Sequence, residues 1–386
     1  MITTINNKHN KLNVPNLRFP EFQGEWERCK LGDITNITGG YAFKSDTLNS
    51  IGGKYQVVKM GNLYQNQLDL HRSPSYTDIL TSKAENVILR KGDIAITLTG
   101  TNNKRDFGYT YIFNDEKNLL LNQRCGLIRT TGNPYFLSCL LKTYAFLNQF
   151  FESATGGTGN QANVSTKAME MFSVNIPSLK EQKKIGELMA LLDERIATQN
   201  KIIEKMQTLI KGIAHKVSKQ GKPNIRLSEC LLCTSSTLQE SDVAEVGAYP
   251  VYGANGIVGY LDTYNTTSEA IYIIKDGSGV GTVSCVKGKC SATGTLNILQ
   301  TKEGFSLRYL YFILKVFSFE PYKTGMAIPH IYFKDYGKAK IYCPSNQLQC
   351  KYADLLSKIE QKATAEQKIL DNLCSQKQYL LCQMFI

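Results

Sequence analysis

The stretch IPSLKEQKKIGELMALLDERIATQNKIIEKMQTLIKGIAHKVS, residues 176–218, is answered later in the chain. Its counterpart is CPSNQLQCKYADLLSKIEQKATAEQKILDNLCSQKQYLLCQMF, residues 343–385. Placing Asn163–Val217 over His330–Met384 needs a constant shift of 167 and no gap. Pro177 then falls on Pro344, Ser178 on Ser345, Gln182 on Gln349, Lys184 on Lys351, Leu188 on Leu355, Lys201 on Lys368 and Ile202 on Ile369. Asp193/Glu360, Arg195/Lys362 and Glu204/Asp371 are conservative matches. Such internal repetition means one structural plan used more than once.

Both stretches read as helices. A proline stands near each start, where its missing N–H costs nothing. Met189, Ile196, Ile203 and Ile210 recur every seven residues, as do Ile185, Leu192, Gln199, Met206 and Ile213. The second copy gives Leu356, Ala363, Leu370 and Lys377, with Tyr352, Ile359, Glu366, Leu373 and Leu380. Two matched a/d seams predict that the helices pair with each other. The expected pairing residues are Ile185, Met189, Leu192, Ile196, Gln199, Ile203, Met206 and Ile210 against Tyr352, Leu356, Ile359, Ala363, Glu366, Leu370 and Leu373. Gln199 and Glu366 interrupt the seams at equivalent positions. In an antiparallel pair, equivalent residues meet at the centre, so these two should touch and fix the register.

Each helix follows a loop-rich segment with short β-like runs. These are Tyr55–Val58, Asp93–Leu98 and Leu127–Arg129 in the first, and Ala270–Ile274, Gly281–Val286 and Leu296–Leu299 in the second. Shorter helices are predicted at Pro134–Ser153 and Leu307–Phe317. Lys30-Leu31-Gly32-Asp33 matches Arg226-Leu227-Ser228-Glu229 at the two segment starts. The fold class is α+β: a globular module, then a long helix, twice. The expected boundaries are 1–15 flexible, 16–178 first module, 179–218 central helix, 219–344 second module and 345–386 terminal helix.

The chain has 386 residues and a formal net charge of +12, from 45 Lys+Arg and 33 Asp+Glu. That balance points to a polyanionic partner, first of all nucleic acid. No run of about 18 apolar residues is present, which argues against a membrane-spanning helix. The first residues lack a secretory h-region, so a cytoplasmic protein is expected. The eleven cysteines are then expected as reduced thiols. Zinc would require Cys230 and Cys233 to converge with a second pair, of which Cys285 and Cys290 are the nearest candidates. No metal site is expected.

Catalytic signatures are missing. There is no P-loop, GxSxG, HExxH or kinase set. Gly277-Ser278-Gly279-Val280-Gly281 lacks the strand and helix that a dinucleotide fingerprint needs, and Thr155–Gly159 could equally cradle phosphate or act as a connector. Asn133-Pro134-Tyr135-Phe136 approximates the loop with which amino-methyltransferases hold a flipped base, but lacks its second proline. Binding is therefore the stronger reading than catalysis. Candidate DNA-contacting residues are Tyr41, Lys44, Lys59, Lys104, Arg105, Gln123 and Arg124 in the first module. In the second they are Tyr252, Asn255, Tyr260, Lys275, Lys287 and Lys289. Arg, Lys, Asn and Gln are the side chains that read base edges. Lys205, Lys211, Lys216, Lys219, Lys222 and Arg226 form a run suited to phosphates.

The ordered motifs Pro15–Phe22, Glu25-Trp26-Glu27, Leu31–Ile34, Ile176–Gly186 and Lys211-Gly212-Ile213 resemble the specificity subunits of type I restriction–modification systems. The resemblance covers almost the whole chain. It departs at Pro344–Gln349, where the second helix entry lacks Glu-Gln. The resemblance implies two target recognition domains, each reading one half of a bipartite asymmetric sequence in double-stranded DNA. It implies that the helices set the spacer and dock two methyltransferase subunits, and that restriction subunits complete the assembly. S-adenosylmethionine, ATP and Mg would belong to those partners, with no cofactor and no catalysis in this chain. A helix of about 36 residues spans roughly 54 Å, or about 16 base pairs. The alternatives are an amino-methyltransferase using Asn133–Phe136, and a coiled-coil scaffold or RNA-binding protein.

Overall fold

The computed structural model describes residues 3–4, 13–101, 104–156 and 161–386. Most of the segment expected to be flexible, and much of the Thr155–Gly159 connector, lies outside the described residues. Asn13 and Pro15 already belong to the first module: the Asn13 carbonyl accepts the Trp26 N–H at 2.7 Å, and Pro15 is buried. Among the described residues, those up to Thr198 together with Leu370–Ile386 form one compact unit, and Gln199–Ile369 form the other.

The first module is built on a four-stranded antiparallel sheet ordered Thr110–Ile112, Ile94–Thr97, Cys125–Thr130, Thr35–Gly39. A smaller sheet places Tyr55–Val58 between Tyr76–Thr77, antiparallel, and Leu119–Leu121, parallel. The central strand Ile94–Thr97 is apolar up to its last residue and buried on both faces. Ile94, Ile96 and Ile128 face a core shared with the helices, whereas Ala95, Cys125 and Leu127 face the smaller sheet. This alternation is the period of two that a strand imposes. Burial pushes the Cys125 thiol up to about 12.

The second module repeats this topology. Its large sheet runs Val283–Val286, Ala270–Ile274, Leu296–Thr301, Leu231–Ser235, all antiparallel. Its small sheet sets Tyr249–Gly253 between Gly256–Leu261, antiparallel, and Ser291–Ala292, parallel. The repeat extends to single hydrogen bonds. Gln182 donates to the Pro177 carbonyl and accepts the Asn133 N–H, while Gln349 donates to Pro344 and accepts Ser306. Both amides are buried and tie a long helix to the residue that caps the start of a shorter one. The matched starts also share a form: the Asp33 carboxylate accepts the Lys30 N–H at 2.9 Å, and Glu229 accepts Arg226 at 2.7 Å.

The long helices span Leu179–Ser218, 40 residues, and Asn346–Gln383, 38 residues. They pair antiparallel. In the first unit Ile185, Met189, Leu370, Leu373 and Leu380 are buried, Leu192 and Ile196 half-buried, and Lys377 pairs with Asp193. In the second, Gln199, Ile203, Ile210, Leu356 and Ala363 are buried, with Met206, Tyr352, Ile359 and Glu366 half-buried. The Gln199 amide donates to the Glu366 carboxylate at 2.5 Å and to its carbonyl at 3.0 Å. Residues equivalent under the repeat meet side by side, which an antiparallel pair allows only at its centre.

The stretch Pro134–Ser153, expected as one helix, is two: Pro134–Leu140 and Tyr144–Glu152. Thr143 interrupts them. Its hydroxyl donates to the Leu140 carbonyl at 2.8 Å and accepts the Phe146 N–H at 3.3 Å, ending one helix and capping the next.

The missing Glu in the second helix entry has a structural reason. Glu181 is buried and accepts two hydrogen bonds from Arg18, both at 2.8 Å, and one from the Trp26 indole at 3.3 Å. Arg18 and Trp26 belong to the segment that precedes the repeated start at Lys30, and Leu348 occupies the position matching Glu181. Removing one partner of a buried pair strands the other charge, at a cost of about 3–5 kcal/mol. Glu181→Ala is therefore expected to lower the thermal midpoint by circular dichroism. Pairing Arg18→Met with Glu181→Leu should recover most of the loss. Equal midpoints for Glu181→Ala and the native chain would contradict this.

Candidate nucleic-acid interface

In the first module several strand ends are sewn around the turn Asn122–Cys125. Asn122 N–H donates to the Val58 carbonyl at 3.0 Å, Tyr41 N–H to Leu121 at 2.9 Å, Gly40 N–H to Cys125 at 2.9 Å and Leu98 N–H to Arg124 at 2.9 Å. A Cβ on Gly40 would stand 2.1 Å from the Asn122 oxygen, so only glycine lets these backbones pass. These bonds gather Tyr41, Lys59, Gln123 and Arg124, which are far apart in sequence, at one end of the sheet. Gln123 and Arg124 are exposed; Tyr41 and Lys59 are half-buried.

Lys104 and Arg105 lie three to four residues beyond Thr101, on a turn roughly 10 Å along the strand from Leu98. Asp106 clamps that turn, accepting the Thr101 N–H at 2.6 Å and its hydroxyl at 2.9 Å. The N–H bond from Thr101 is the main reason its carboxyl sits below the usual range. Arg105 lies 5.1 Å over the Phe151 ring, turned toward its own module. Lys44 is exposed on the segment leaving Tyr41, and its carbonyl accepts the Thr47 N–H and hydroxyl.

The second module closes the same end in the same way. Thr293 N–H donates to Tyr252 at 2.9 Å, and Lys275 N–H to Thr295 at 2.9 Å. Tyr252, Asn255 and Lys275 gather there, with Asn255 exposed just before Gly256, whose φ is +105°. The Tyr252 ring packs edge-on to Tyr272, and desolvation raises its hydroxyl above the usual range.

The structure does not bring Tyr260, Lys287 and Lys289 to this end. Tyr260 pairs with Pro250 and Ala244. Lys287 and Lys289 follow Val286, which pairs with Ala270 at the far end of a five-residue strand, roughly 17 Å away. Lys287 meets Glu269 at 3.7 Å, and Lys289 lies 4.8 Å over Tyr264. Lys205, Lys211, Lys216, Lys219, Lys222 and Arg226 are all exposed.

Sequence reading missed one element of the second module's end. Thr324–His330 forms a short hairpin beside Lys275, held by the Ile331 N–H bond to the Lys275 carbonyl at 2.9 Å. Its signal was Gly325-Met326-Ala327-Ile328-Pro329, an apolar run between turn residues directly before the repeat at His330.

Asn133-Pro134-Tyr135-Phe136 is not a base-holding loop. The Asn133 side-chain oxygen caps a helix by accepting the Phe136 N–H at 2.9 Å. Tyr135 donates to Asn114 at 2.8 Å, and Phe136 is 2% exposed, stacked on Phe385. Of the cysteines named for zinc, Cys230, Cys233 and Cys285 pack in or against the helix-facing core, and Cys290 lies in the separate core beneath the small sheet. Among the described residues no group of His, Cys, Asp or Glu is arranged to hold a metal ion, and no helix is long and apolar enough to cross a membrane.

Residues 23–208 and 230–374 match the type I restriction modification DNA specificity domain. The chain belongs to that family. The two matched segments coincide with the two copies of module and helix. The chain is 29% identical over 180 residues to the EcoAI specificity subunit of Escherichia coli, covering 46% of this chain and 29% of that one. It is 25% identical over 205 residues to a putative MjaX specificity subunit of Methanocaldococcus jannaschii, covering 52% and 47%. The chain thus spans less than half the length of these curated relatives. A solved S subunit of a type I restriction–modification system from M. genitalium has the same fold. The TM-score is 0.68 at 19% identity, over 97% of this chain and 99% of that one.

Proposed function

We propose that this chain is the specificity subunit of a type I restriction–modification system, without catalysis of its own. The observation that carries this is the repeated sheet end, set in a chain of the specificity-domain family. Tyr41, Lys59, Gln123 and Arg124 in one module, and Tyr252, Asn255 and Lys275 in the other, lie at matching ends of the two sheets. These are side chains that donate to base edges and phosphates. Each module reads one half of a bipartite site in double-stranded DNA, and the two halves differ because the matching positions carry different residues. The long helices set the spacer and dock two methyltransferase subunits; restriction subunits join that assembly. S-adenosylmethionine, ATP and Mg act in those partners, in the cytoplasm. A scaffold or RNA-binding role draws no support from the family match.

The test is methylation-site mapping in cells that express the methyltransferase subunit with and without this chain. A bipartite, asymmetric modified site that depends on the chain is the expected result. An unchanged methylation pattern would overturn the proposal. Within a reconstituted complex, Arg124→Ala is expected to weaken binding about tenfold and to relax selection at one half-site only. Equal relaxation of both halves would count against separate reading modules.

A further inference from the structure

The hairpin Thr324–His330 is rigid at its neck and apolar at its tip. Thr324 and His330 exchange two backbone hydrogen bonds, at 2.9 and 2.8 Å, and the Gly277 N–H holds the Pro329 carbonyl at 2.9 Å. Gly325 has a φ of +88°, and a Cβ there would stand 2.3 Å from the Ile328 oxygen, so the turn is tight and needs glycine. On this frame the Met326 side chain is fully exposed and Ile328 is 65% exposed. A single exposed apolar residue means little. Two of them fixed on one preorganised tip gain nothing inside the molecule. At the neck the His330 ring packs against Tyr332 at 5.1 Å, Lys334 lies 5.1 Å over the Tyr332 ring, Lys323 pairs with Glu320, and Lys275 is bonded directly behind the neck. An apolar tip with a cationic and aromatic rim fits a groove of duplex DNA better than an apolar protein partner.

The first module offers a contrast. Its matching hairpin pairs Thr155 with Asn163 and Gly156 with Ala162. The residues between, Gly157-Thr158-Gly159-Asn160, include no large apolar side chain and lie outside the described residues.

We infer that Met326 and Ile328 determine specificity in the second module, by apolar contact with thymine 5-methyl groups in the major groove. This rests on the specificity-subunit reading. In the major groove the thymine methyl is the apolar feature that distinguishes one base pair from another. Deoxyuridine lacks that methyl and keeps every hydrogen-bonding group, so it isolates the contact.

The experiment uses the full chain reconstituted with its methyltransferase subunits and the duplex identified by methylation mapping. Each thymine is replaced in turn by deoxyuridine, and affinity is measured by competition. At one or two positions of a single half-site, the native complex should lose about fourfold per methyl, the factor for burying one methyl-sized group. The double variant Met326→Ser, Ile328→Ser should bind thymine and uracil duplexes equally at those positions. Its selection of the other half-site should be unchanged, which also shows that the variant is folded. The inference is overturned if the native complex tolerates uracil everywhere, or if the double variant keeps the full uracil penalty. A complex that selects no duplex at all would instead overturn the specificity-subunit reading, and this inference with it.

Discussion

Deleting Leu381–Ile386 is expected to unfold the first module, although those residues lie at the far end of the chain. Leu381 is 9% exposed, Met384 0% and Phe385 7%, all within the core of the first unit. Phe385 stacks on Phe136 with ring centroids 5.2 Å apart and stands edge-on to Trp26 at 6.3 Å. Burial of each such side chain contributes about 1.5–3 kcal/mol. Three of them amount to about 5–9 kcal/mol, on the order of a domain's whole stability of 5–15 kcal/mol. The chain holds one tryptophan, Trp26, so its fluorescence reports on this module alone. The truncated chain should show red-shifted emission and no cooperative transition by that probe. The milder Phe385→Ala should keep a transition, lowered by about 3–5 kcal/mol. Blue-shifted emission with an unchanged midpoint in the truncated chain would show that the terminal residues do not hold this core. The other long helix has the corresponding role in the second unit: Ala214 and Val217, which match Leu381 and Met384 under the repeat, are buried in that unit's core.

What was legible in the sequence follows from range. The helices declared themselves through heptads, because side chains four and seven residues apart share a face whatever surrounds them. The Gln199–Glu366 contact could be argued because a repeat carries its own symmetry. The central strands showed as short apolar runs. Thr143 was not foreseen, since a hydroxyl that caps one helix and ends another has the same composition as one inside a continuous helix. The interface was legible in part. Tyr41, Lys59 and Arg124 meet only because strands from distant segments end together, and sequence alone does not say which ends coincide. Lys275 and Lys287 look alike in sequence, yet a strand and its return turn put them at opposite ends of a sheet. The apolar terminus Leu380-Leu381-Cys382-Gln383-Met384-Phe385 was visible as a string. Its destination against Trp26 depends on the helix pairing first.

The helix pair carries the other large expectation, a change of spacer length. Seven residues inserted between Gln199 and Asn200, and seven more between Ala365 and Glu366, extend both helices opposite one another. The a/d seam continues across such an insertion, because a heptad returns each side chain to nearly the same face. The Gln199–Glu366 contact is preserved, so register is kept. The added rise is about 10.5 Å, or about three base pairs of duplex. The modified sites should then keep the bases of both half-sites while the preferred spacer lengthens by up to three base pairs. Three base pairs also turn the duplex by about 100°, given 10–10.5 base pairs per turn. The inserted heptad turns the helix face by only about 20°. The lengthened complex must therefore twist its DNA, so its affinity should fall even at the new optimum. Insertion into one helix alone offers a sharper contrast. Seven unmatched residues leave the opposite seam without partners, and the expected result is loss of both cooperative unfolding and site selection. Methylation mapping with the doubly extended chain decides the matter: an unchanged spacer would mean that the helices do not set the distance between the half-sites.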